Sequence, residues 1–317
     1  MQKIIGLFLT IILVSCSKRR KIEANISEVK VNVSLNRFDQ DFYQNIKKLE
    51  ELKSEYPFLF PKSDHDSIWS NKRTNPDELE LFEETQKIYS NIEDLKEQLK
   101  MLFKYVKFYD PKFNSPRVIT MLTNIDYENR VVYKDSLLLI SLDAYLGENH
   151  EFYGDYPVYV KQHNRKGQII VDVASKIIDK QIFPRNKRTF IDKMIYKGKK
   201  MFMKDLYLSK LSDHEKIGYR KEKLDWALAN EEQIWRYFVE KDLLFSTDKN
   251  LDRRFLDIAP FSKFYMEADN LSPGRIGEWL GWQIVRSYMR NNDVSLEELI
   301  RLSEEKIFTK SKYKPRR

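Results

Sequence analysis

Apolar residues recur along this chain at changing spacings, and the changes divide it into regions. Residues 4–14 form an eleven-residue apolar run behind Lys3, with Thr10 its one polar residue. That is signal-peptide length and too short to cross a bilayer. Residues 29–33 (VKVNV) alternate at period 2 and predict a short strand. A helix is expected over 39–52. Asn75 and Pro76 supply the cap and first position of the longest one, whose stripe from Ile88 through Ile92, Leu95, Leu99, Leu102 and Val106 advances by threes and fours. Beyond Pro111 and Pro116 the pattern turns β-branched and aliphatic. Residues 117–123 (RVITMLT) and 130–142 (RVVYKDSLLLISL) predict an antiparallel pair joined by a long loop. Helical spacing returns at about 169–183, 187–208, 220–245, 273–291 and 295–308. The fold class expected is α+β, helix-dominant, with a small antiparallel sheet. The organisation expected is a signal peptide at 1–15, a basic tether at 16–28, one globular domain over 29–309 and a basic tail at 310–317.

The apolar run ends in Leu13-Val14-Ser15-Cys16, which resembles a bacterial lipobox. In that pathway the cysteine thiol receives a diacylglyceryl group, the chain is cut before it, and the new amino terminus is acylated with chains such as palmitate. Several acyl chains, at about 0.8 kcal/mol per buried methylene, hold a protein on a membrane where one does not. Cys16 is the only cysteine in 317 residues, and it falls where the lipobox requires one. This also excludes an intrachain disulfide framework and cysteine-rich metal modules. Cleavage before Cys16 leaves 55 basic against 48 acidic residues. Nine of the basic ones lie at the ends: Lys18, Arg19, Arg20 and Lys21 behind the anchor, the others in the tail. The body then carries 46 against 48, so the formal net charge of +8 gives no nucleic-acid footprint. Basic residues beside a lipid anchor would either lie against anionic headgroups or form a solvated tether.

The segment with the densest chemistry is 272–286. Ser272 and Pro273 read as the start of a helix, and Gly274, Gly277 and Gly281 follow at steps of three and four. An interior helical glycine costs about 1 kcal/mol, so three of them indicate close approach by another backbone. On a second face Arg275, Trp279, Trp282 and Arg286 align at i, i+4, i+7 and i+11. They form either a partner face built on guanidinium–indole stacking or a tight helix–helix packing with the tryptophans in the core.

Other chemistry is sparse. Asp143 leaves the second strand segment next to Gly147, which suits a catalytic carboxylate and suits an Asx-turn better. Asp143 and Glu278, with Arg286, are the polar site residues an enzymatic alternative would use. No Gly-x-Ser-x-Gly elbow occurs. The helix after the sheet reads QIIVDVASKII and holds no histidine, so the His-Glu-x-x-His pair of a zinc peptidase is missing. No metal and no cofactor is expected.

The lipobox, LLLISLDAYLG (137–147), ANEEQIWRYFVEKDLLFSTD (229–248), APFSKFY (259–265), SPGRIGEWLGWQIVRSYM (272–289) and KSKYKP (310–315) together resemble the GldB family of gliding-motility lipoproteins of Bacteroidetes. The resemblance runs through essentially the whole chain in order. It implies a membrane-anchored component of the cell-envelope gliding machinery that operates alongside type IX secretion. Its partners would be membrane lipid through Cys16 and other gliding-motility envelope proteins, with no nucleic acid. A fainter likeness to predicted zinc peptidases implies a degenerate zincin-like fold with an empty metal site. The function expected is non-enzymatic, at the outer membrane facing the periplasm, with the inner membrane the other location. The alternative is an envelope hydrolase or a peptidoglycan- or peptide-binding protein.

Overall fold

Four short strands form the only sheet among the residues described, and helices cover it and extend away from it. The computed structural model describes Glu23, residues 25–182 and residues 187–317. The lipobox residues Leu13, Val14, Ser15 and Cys16 lie outside the described residues. The chain is already docked at Ile26, which is buried, and Lys104 Nζ donates to the carbonyl of Ser27 beside it. The first half comprises β1 (Leu35–Arg37), α1 (Phe38–Tyr43), α2 (Leu49–Glu55), α3 (Asp66–Thr74), α4 (Pro76–Tyr89) and α5 (Glu93–Tyr109). The remaining strands are β2 (Arg117–Met121), β3 (Val131–Lys134) and β4 (Leu137–Ser141). Then come α6 (Val158–Lys161), α7 (Gln168–Gln181), α8 (Phe190–Tyr207), α9 (Asp213–Ile217), α10 (Lys221–Ala229) and α11 (Glu231–Glu240). The chain closes with α12 (Asn250–Phe255), α13 (Ile276–Asn291), α14 (Leu296–Arg301) and α15 (Glu304–Lys310). Buried apolar side chains form one continuous cluster from Phe38 to Ile307. No described helix is long and apolar enough to cross a membrane.

The helix-dominant α+β class holds, but the sheet is mixed rather than antiparallel. Its order is β1-β2-β4-β3, with β2 parallel to both β1 and β4. The expected pair fails because 130–142 is itself a hairpin. Asp135 takes φ 53, and the Asp135-Ser136 turn folds β3 back antiparallel onto β4. That left-handed conformation is what a two-residue hairpin turn asks of its first residue. The expected strand at 29–33 also shifts, since pairing begins at Leu35.

Several expected helices divide. The 39–52 segment breaks after α1, where Asn45 takes φ 55. Asn75 Oδ1 caps α4 as its sequence predicts, accepting from the N–H groups of Asp77 and Glu78 at 2.8 and 3.2 Å. The stripe beyond it spans two helices, because Asn91 Oδ1 accepts from Glu93 N at 2.8 Å and starts α5 anew. Asn230 similarly separates α10 from α11. The segment after Ser272-Pro273 does not become helical until Ile276. Ser272 Oγ is committed instead to Ser262 and to the Asp269 carbonyl.

Candidate functional site

The central pair of the helical half is α8 crossing α13, and glycine sets their separation. A Cβ on Gly281 would sit 1.9 Å from the Met194 carbonyl oxygen, and one on Gly198 would sit 2.3 Å from that of Gly281. No side chain fits at either place. Gly277 lies against Phe255 and Leu256 of the following layer, and Gly274 meets the carbonyl of Ala259, 2.1 Å from where its Cβ would be. The three glycines therefore meet three different neighbours, and Gly274 precedes the helix. Trp279 and Trp282 are both fully buried, so this stripe packs inward and is no exposed partner face.

Beyond the crossing, α13 carries an ionic clasp. The Arg286 guanidinium spans Asp205 on α8 and Asp213 on α9, with four contacts of 2.6–2.8 Å. It also lies 3.8 Å from the Trp282 ring centroid, while the indole Nε1 donates to Asp205 at 2.8 Å. Lys216 adds a second cation at 3.0 Å from Asp205. The expected guanidinium–indole stacking occurs at this end alone. Arg275 instead lies over the Tyr219 ring, at 5.7 Å.

Ahead of the crossing, the same two helices border a groove. Arg275 takes φ 57 and caps α13 through its backbone, and its guanidinium donates to Glu278 at 3.2 Å. Lys197 and Lys204 project from α8 into the same cleft. Burial opposes ionisation of Glu278, but the charges of Arg275, Lys197 and Lys204 outweigh it and hold the carboxyl below its ordinary value. Burial lowers the Lys204 ammonium, with Glu278 acting against it. This cleft measures about 670 Å³, and a second of about 340 Å³ continues from it toward α6 and α10. The two share Ile258 and Arg275. The segment that follows the shared Ile258 is fastened by Ser262, whose Oγ donates to the Pro273 carbonyl at 2.7 Å and accepts from Ile276 N at 3.2 Å.

Asp143, Glu278 and Arg286, which the sequence offered as one polar site, are not brought together. Asp143 follows β4 and accepts from the N–H groups of Thr123 and Ile125 at 3.0 and 2.8 Å. It thereby holds a loop in which Asn124 and Ile125 both take positive φ, 56 and 62. Positive φ is a costly conformation for a β-branched residue. Burial pushes the Asp143 carboxyl up to about 6 against those hydrogen bonds, and its Oδ1 is buried without a partner.

On α7, the helix without histidine, Gln168 donates to Asp172 one turn on at 2.9 Å. Tyr145 donates to Asp172 at 2.8 Å, and Arg130 lies 3.7 Å away. His163 nearby is kept neutral, because burial and then the charges of Arg275 and Arg130 lower it to about 4. No group of three or more metal-ligating side chains suited to a metal ion occurs among the described residues.

Two features escaped the sequence reading. One is the network around Asp172, which long-range folding assembles. The other is the lysine wall of the groove, and for this a signal existed. Lysines at 193, 197, 200 and 204 repeat at helical spacing beside the apolar stripe.

The family model described as gliding motility protein GldB matches residues 19–315. No curated protein matches the chain, and no solved structure does.

Proposed function

The chain belongs to the gliding motility protein GldB family, and on that premise we propose that it acts as a lipid-anchored binding component of the gliding machinery rather than as an enzyme. The observation that carries this reading is the family match, which takes in the groove and the crossing of α8 and α13 alike. Acylation of Cys16 is the anchor. Ser17 and the basic residues 18–21 follow it with no acidic cluster, which favours a place at the outer membrane facing the periplasm. From there the folded body binds other envelope proteins of the gliding apparatus and, through them, works alongside type IX secretion.

The test is Cys16→Ala, followed by membrane fractionation, a motility assay and co-isolation of crosslinked proteins. The variant is expected to fold, to leave the membrane fraction and to stop cells gliding, while the native protein brings down motility or secretion proteins. Membrane retention of the variant with normal gliding would refute the anchor, and the absence of specific companions would refute the binding role.

A further inference from the structure

We propose that the groove between α7, α8 and the start of α13 receives an extended acidic segment of a partner protein, its carboxylates over Lys197 and Lys204 and its aliphatic side chains against Ile258. This rests on the binding role above and adds a place and a chemistry to it.

Charge favours such an occupant. The lysines of α8 divide into two sets. Lys193, Lys199 and Lys200 each meet a carboxylate: Asp252 at 2.8 Å, Glu304 at 2.9 Å and Asp179 at 2.7 Å. Lys197 and Lys204 instead donate to the carbonyls of Leu256 and Lys216, at 3.0 and 3.2 Å. Both of these line the groove, as does the paired Lys200. An ammonium carries three donors, so each has hydrogens left for a ligand. The nearby Glu278 is already shared with Arg275. At the far end of the groove Lys223 donates to the carbonyls of Asn270, Leu271 and Ser272, which satisfies its hydrogens, and Glu222 is the carboxylate that acts on its charge. Along both clefts six cationic side chains face three carboxylates, and with Arg220 paired to Glu148 outside them a surplus of two cations remains, in a body whose overall balance is slightly acidic. A partner segment carrying carboxylates complements that surplus.

Shape favours it as well. The clefts join end to end at Ile258 and Arg275, so an occupant of both must be elongated. Ile258 and Val158 are 64% and 60% exposed on this lining, which gives an alternating acidic and aliphatic strand apolar surface to cover. The cations stand on the walls of a concavity, where a flat bilayer does not reach them.

The experiment is fluorescence anisotropy of a short labelled peptide of alternating glutamate and valine against the full-length protein in detergent. The same peptide with lysine for glutamate, and vesicles rich in phosphatidylglycerol, are run beside it. The acidic peptide is expected to bind saturably and the basic one not to bind. Ile258→Glu and Lys197→Glu are each expected to weaken binding about tenfold or more. Arg236→Glu, on the exposed face of α11, is expected to leave it unchanged. Because Ile258 is exposed, its variant keeps the native melting temperature and separates lost binding from lost folding. Equal binding of both peptides, indifference to both groove variants, or vesicle binding with the same groove dependence in place of peptide binding would each overturn the proposal. Failure here with partners still co-isolated removes the groove alone. Failure of the Cys16→Ala and co-isolation experiments removes the binding role itself.

Discussion

The two halves of α13 use charge in opposite ways. Past Gly281, Arg286 and Lys216 are matched by Asp205 and Asp213, and every partner lies within the fold. Before it, Arg275, Lys197 and Lys204 surround one carboxylate, Glu278, next to open space. Bidentate arginine–carboxylate geometry fixes the pairing in the first region. The second has cations that are positioned but not neutralised, which is the state in which a charged ligand gains most by binding. One helix pair thus closes the fold at one end and presents a charged surface at the other, with the glycine crossing between them.

The sharpest way to break this comparison is at the crossing itself. Gly281→Ala places a methyl into the Met194 carbonyl and is expected to destabilise the protein by about 3 kcal/mol. Thermal melting should show a drop of several degrees, and an unchanged midpoint would mean the helices are free to separate. Next comes the clasp. Arg286→Met keeps the apolar stem but leaves Asp205 and Asp213 without their main cation, at an expected cost of about 2 kcal/mol by urea unfolding.

A third prediction concerns a charge that belongs to neither half. Asp143 holds its proton up to about pH 6 when folded and to about 3.9 when unfolded, so the folded state binds the proton more tightly. Its contribution is present below pH 4 and is lost as pH rises through 6, on the order of 3 kcal/mol. Asp143→Asn should flatten that part of the stability profile, and an identical slope in the variant would refute the assignment. The smallest effect on stability is expected at the groove. Ile258→Glu should shift the unfolding free energy by less than about 0.5 kcal/mol, and a large loss would make the groove rim a structural element.

What could be read from the sequence follows from the range of the forces involved. The helices α7, α8 and α13 were legible because a buried face imposes a period of 3.6 residues on each. The glycines of the 272–286 segment announced close approach because an interior helical glycine costs stability that packing must offset. The breaks at Asn91 and Asn230 were not legible, since the apolar stripe continues in phase on the far side while a single amide interrupts the helix, Asn91 accepting from Glu93 N and Asn230 donating back to the Trp226 carbonyl. The orientation of the sheet was hidden for a different reason. Leu35 pairs with Val118 across more than eighty residues, and nothing local in either segment records the partner's direction. At the candidate site Arg286 and Trp282 could be paired in advance because both lie on one helix, whereas Asp205 could not be assigned to them. The cationic surplus of the groove disappears in a body balance near zero and emerges once α8 and α13 stand side by side.

The most direct test of the division along α13 is site-specific photocrosslinking in cells, with the photoreactive residue at Ile258 and, for comparison, at Val239, also exposed but on α11. The account predicts a discrete crosslinked partner from position 258, joined through an acidic stretch of its sequence and absent from position 239. Crosslinks from 258 only to lipid, or the same products from both positions, would contradict it.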